Sequence, residues 1–147
     1  IDAFGLTNFT TSTGARHTRY LSAASPEADL TLIANIIYMV NVQNTQTLIV
    51  TLPTAPQTGD VVRMIDVGGN LKYDTTLVIR TPETSGTPIQ GDSTGTLFGD
   101  RLTPYPSGEL VVQTPNAAFA LVYLGAVDSN DQIGIPTSVQ GWWLMEV

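Results

Sequence analysis

The chain has 147 residues, no Cys and one His, and its 6 Lys+Arg against 13 Asp+Glu give a formal net charge of −7. That length suits one domain with a core of its own, and the missing Cys excludes disulfides, thiolate metal sites and a Cys nucleophile. So few basic residues cannot build the cationic patch that grips a phosphate backbone, and nucleic acid is not an expected partner. Only 13% of residues are charged while 42% are hydrophobic, so neutral polar groups must carry much of the surface. Thr is about one residue in seven and fits a pleated, half-buried surface. Gly 13 and Pro 9 punctuate turns. This is the composition of an all-β module of extracellular or virion type.

Residues 1–35 are expected to form an extended arm or lead-in, whose first 25 residues either dock on a surface such as a neighbouring chain or, equally, form a strand or loop packed on their own domain. Up to Ser25 they are rich in Thr, Ser and Gly, and Phe4, Leu6, Phe9, Tyr20 and Leu21 follow neither a helical nor a strand period. Such side chains need a preformed surface, which makes Phe4, Phe9, Tyr20 and Leu21 candidate subunit contacts. Ser25-Pro26-Glu27 suits the start of a single helical turn. The chain opens on Ile1 without the basic start and apolar run of a signal peptide, as expected of a fragment or a processed product.

A β domain is expected over 36–147. The β-branched runs at 36–42 and 47–52, separated by Gln43-Asn44-Thr45-Gln46, predict a hairpin. The longest apolar stretch falls here and is far shorter than the ~20 residues of a membrane span, so membrane insertion is not expected. Further strands are predicted at 61–67, ending on Gly68-Gly69, and at 75–81, closed by Pro82. Residues 82–107 hold four prolines and no clear element, a length of loop that is usually functional or bound by a partner. A second hairpin is predicted from 108–114 and 118–124 about Pro115-Asn116, then a polar loop over 126–140 and a closing strand from Trp142. About seven strands result, as a small antiparallel sandwich or rolled sheet with long loops.

Little chemistry is on offer. His17, between Arg16 and Arg19 in the arm, is the only imidazole for a nucleophile–base pair and has no orienting acid nearby in sequence. Asp60, Asp74, Asp92, Asp100, Asp128 and Asp131 sit in turn contexts, where Asp bonds its own backbone. Asp66, flanked by Ile65 and Val67 at a strand end, reads as a buried hydrogen-bond anchor for a neighbouring loop. Asp128-Ser129-Asn130-Asp131 lacks the Gly and distal Glu of a calcium loop. Asp92-Ser93-Thr94-Gly95 has no apolar strand beside it, and Asn8-Phe9-Thr10 is a formal glycosylation sequon. Trp142 and Trp143 are neighbours on a strand and must face opposite sides, one to the core and one outward. No enzyme activity, cofactor or metal is expected.

The run Leu52-Pro53-Thr54-Ala55-Pro56-Gln57-Thr58-Gly59-Asp60-Val61, continued through Asp66-Val67-Gly68-Gly69, joins two strands with an LP-x-x-P-x-x-GD and a D-x-G-G turn. Pro53 and Pro56 stiffen the strand exit, Gly59 permits a tight reversal, and Asp60 can accept backbone N–H bonds there. With Val78-Ile79-Arg80, Phe119-Ala120-Leu121-Val122-Tyr123 and Gly141-Trp142-Trp143 following in order, the pattern resembles the tail-fibre and baseplate proteins of tailed bacteriophages. It is nearest there to the C-terminal regions of T-even baseplate wedge proteins, over about the last hundred residues. The resemblance implies a structural homotrimer in the virion, made in the host cytoplasm. It implies partners among other baseplate and short-tail-fibre proteins, with Pro53, Pro56, Gly59, Asp60, Asp66, Gly68, Gly69 and Trp142 as its structural motif. The alternative is a receptor-binding (adhesin) domain of a tail fibre that recognises host surface glycan.

Overall fold

The computed structural model describes residues 17–23, 30–82, 87–90, 101–103, 109–128 and 133–146. In chain order the strands are β1 (His17–Ala23), β2 (Leu30–Thr31), β3 (Ile36–Val42), β4 (Thr47–Thr51), β5 (Val61–Asp66), β6 (Thr76–Arg80) and β7 (Ile89–Gln90). They continue with β8 (Arg101–Thr103), β9 (Glu109–Val112), β10 (Ala118–Leu124), β11 (Val127–Asp128), β12 (Ile133–Gly134) and β13 (Gly141–Glu146). Among the described residues the only helical piece is a 3₁₀ turn, Thr137–Val139. The chain is all-β.

Two sheets face each other. One has the order β1-β3-β5-β10-β13-β7 and the other β2-β4-β6-β9-β8, with β11 and β12 forming a separate ribbon. From β1 to β6 the chain alternates strictly between the sheets, and each strand lies parallel to the one placed two earlier. His17 sits beside Ile36 and Ile36 beside Val62 in the first sheet, while Leu30 sits beside Val50 and Val50 beside Ile79 in the second. The first half is therefore a flattened coil of three rungs. Antiparallel strands complete it: β10 pairs with β5 and β13, and β9 with β6.

This corrects the expected antiparallel sandwich, since both main sheets are mixed. Neither predicted hairpin exists: β3 and β4 lie in opposite sheets, and so do β9 and β10. The physical reason lies in the corners. At 43–46 the Gln46 N–H bonds Gln43 O at 3.0 Å, and Thr45 takes left-handed geometry at φ 65, its N–H held by Thr75 Oγ1 at 2.9 Å. That corner turns the chain across the core instead of back along its own sheet. The strands β1 and β2 fall inside the segment expected to be an arm and are edge strands of the two sheets. The long stretch after Pro82 contributes β7 and β8, and the predicted turn at Ser25-Pro26-Glu27 lies outside the described residues.

The core forms where alternating side chains of the two sheets meet, as in β3, whose residues alternate between buried and half-buried. Tyr38, Val40, Val62, Met64, Phe119, Leu121 and Trp142 from the first sheet meet Leu48, Val50, Leu77, Ile79, Leu110 and Val112 from the second. Tyr38 is fully buried and its hydroxyl accepts the Ile33 N–H at 2.8 Å, so the ring is interred without stranding its polar end.

The two outward faces differ. On the second sheet the outward rows are Thr31, Thr51 and the cross-strand ion pair of Arg80 and Glu109, 2.9 Å apart, then Ile49, Val78 and Val111, then Thr47 and Thr76. On the six-stranded sheet the register aligns Tyr20, Met39, Ile65 and Ala118 in one outward row and Ile37, Arg63, Ala120 and Met145 in the next. A third row holds Val61, Val122 and Trp143. A solvent-facing sheet normally alternates apolar-in with polar-out; this one mixes exposed Tyr20, Ile65 and Met145 with Thr18, Asn41, Arg63 and Gln90 on its outward face.

Candidate functional site

The two motif turns occupy opposite ends of the β5–β10 ladder. At the end where β5 begins, β4 leaves the second sheet at Leu52, whose N–H bonds Arg80 O at 2.8 Å, and the chain runs through Pro53 and Pro56 toward β5. Gly59 adopts φ 97, a conformation that favours Gly, and donates its N–H to Tyr123 O at 2.9 Å. Tyr123 returns its own N–H to Asp60 O at 2.9 Å. The Asp60 carboxylate accepts the Gln57 N–H at 2.9 Å and the Asn35 side-chain N–H at 3.4 Å. Gly125 N–H donates to Thr58 Oγ1 at 2.9 Å. The whole segment is thus clasped to the end of β10.

That clasp forms one wall of a cleft of about 320 Å³, with Pro53, Thr54, Ala55 and Pro56 on one side and Pro82, Thr87, Tyr123 and Trp142 on the other. The Tyr123 and Trp142 rings meet at 5.2 Å with planes tilted by 54°, a favourable aromatic geometry. Among the described residues no charged side chain lines the cleft. It can hold an apolar or ring-shaped group by contact and hydroxyl hydrogen bonds; among the described residues that line it there is no acid, base or strong nucleophile to transform one. Among the described residues no group of three His, Asp or Glu is placed to hold a metal ion.

At the opposite end Asp66 is 2% exposed. One carboxylate oxygen accepts the Gly69 N–H at 3.1 Å and the other the Asn116 N–H at 2.9 Å. Asn116, at φ 60, donates its side-chain amide to Asp66 O at 3.3 Å, and Asp66 N–H bonds Ala117 O at 2.9 Å. One carboxylate therefore ties the D-x-G-G turn to the turn before β10. Gly68 has to be small: a Cβ there would run into the Asn41 side chain, 2.9 Å from its Cγ and 3.2 Å from its Cα. Gly69 takes φ 68.

Pro53, Pro56 and Trp142 therefore come together at the cleft, Gly59 and Asp60 brace its wall, and Asp66, Gly68 and Gly69 gather at the far end. Trp142 is 1% exposed, whereas Trp143 lies half-buried on the outward side with its indole N–H donated to Val139 O at 2.8 Å. Of the candidate contacts, Tyr20 is 58% exposed on edge strand β1. Leu21 is set beside Val40 by the parallel pairing and is buried in the chain's own core. Phe4 and Phe9 lie outside the described residues. Residue-level reading missed the amides. Asn41 donates to the Tyr20 hydroxyl at 2.9 Å, and Asn70 donates to Val42 O at 3.2 Å and Asn41 Oδ1 at 3.4 Å, a row across three successive rungs whose one sequence signal is Asn at strand ends.

Where β13 begins, Gly141 takes φ 135 and an added Cβ would stand 2.6 Å from Pro88 O, which already accepts the Trp142 N–H at 3.0 Å. Gly141→Ala is therefore expected to destabilise the fold by about 2 kcal/mol through backbone strain. Thermal unfolding checks this against Gly134→Ala, where an added Cβ meets nothing within 4 Å. Equal melting temperatures for the two variants would refute the strain. No known family model matches the chain, and no curated protein matches it significantly.

Proposed function

We propose that the chain is a structural baseplate component of a contractile phage tail, a virion module that assembles as a homotrimer and connects to short tail fibres during host attachment. The observation that supports this reading is how the motif's polar groups are used. Both carboxylate oxygens of Asp66 and both of Asp60 bond N–H groups of their own chain. Groups so engaged fix the shape of the turns that carry them. The module has no catalytic role in this reading, and its partners are other copies and other baseplate and tail-fibre proteins.

Sedimentation equilibrium of the full chain should return about three times the 15.7 kDa protomer mass, in line with the closed cyclic symmetry of most homo-oligomers. A clean monomer at micromolar concentration would defeat the assembly reading. The adhesin reading is favoured by one feature, the uncharged cleft with Tyr123 and Trp142 at its wall, since aromatic rings and hydroxyls suit a sugar ring. Binding of the chain to host cells that is lost in Tyr123→Ala would establish it in place of the structural role.

A further inference from the structure

We draw no further inference here: the strongest candidate, the cleft walled by Pro53, Pro56, Tyr123 and Trp142 where the 53–56 segment meets the ends of β10 and β13, belongs to the site already described, and nothing in the structure shows what fills it.

Discussion

Asp66→Ala is expected to lower the folding stability by about 2–4 kcal/mol, because it strands the N–H groups of Gly69 and Asn116 that now share one carboxylate. Each such group left without a partner costs about 1–3 kcal/mol. The loss should be visible as a lower urea midpoint with an unchanged slope, since the folded and unfolded surfaces barely change. Asp66→Asn keeps one acceptor but turns an amide N–H₂ toward a donor, and should lose roughly half as much. The damage has a location as well as a size. Hydrogen exchange should quicken at the Gly69 and Asn116 amides before it quickens in β5. A midpoint within about 0.5 kcal/mol of wild type, the usual range of a neutral surface change, would show that the two turns hold each other without the carboxylate.

Trp142→Ala is expected to cost about 3–5 kcal/mol, the range for deleting a large buried aromatic. Trp142 is 1% exposed, rests against Tyr123 at 5.2 Å, and pairs through its backbone with both Tyr123 and Ile89. Its removal hollows the wall of the cleft and loosens the join between β13 and β7. Trp142→Phe fills most of the volume and should cost about 1–2 kcal/mol, as a partial loss of core packing does. Fluorescence supplies a direct check, because Trp142 and Trp143 are the chain's two Trp residues. In Trp143→Phe the remaining emission should be blue-shifted, and in Trp142→Phe it should sit closer to that of a half-solvated indole. Equal emission from the two variants would contradict the burial difference.

Strand positions were largely legible and strand partners were not, and the two differ in kind. The apolar alternation of Ile36–Val42 comes from which side chains face a core, a local property. Whether the next strand returns beside it or crosses to the facing sheet depends on bonds made far along the chain, such as Ile36 beside Val62. Gln43-Asn44-Thr45-Gln46 serves either outcome. The same distinction governs the site. Ile65 and Val67 around an acid are enough to expect a buried anchor at Asp66, yet its partner Asn116 lies 50 residues away and nothing near Asp66 names it. Tyr20 and Leu21, taken together as contacts, point to opposite sides of β1, because pairing with β3 sets the pleat. Neutral amides such as Asn41 and Asn70 carry no charge or period and pass unnoticed until the rungs are stacked.

The three-rung coil also orders events during synthesis. In β1 to β6 every strand finds its parallel neighbour one rung back, so each rung can dock as soon as it leaves the ribosome, closing a loop of modest length. The second edge of β5 is different: it is covered by β10, which sets Val61 beside Val122. Until that strand emerges, the nascent coil presents a fresh parallel edge with unpaired N–H and C=O groups, flanked by an apolar sheet face. Neighbouring nascent chains would offer each other just such edges. A pause in translation between β6 and β10 is therefore the interval in which this protein is most prone to join the wrong copy of itself.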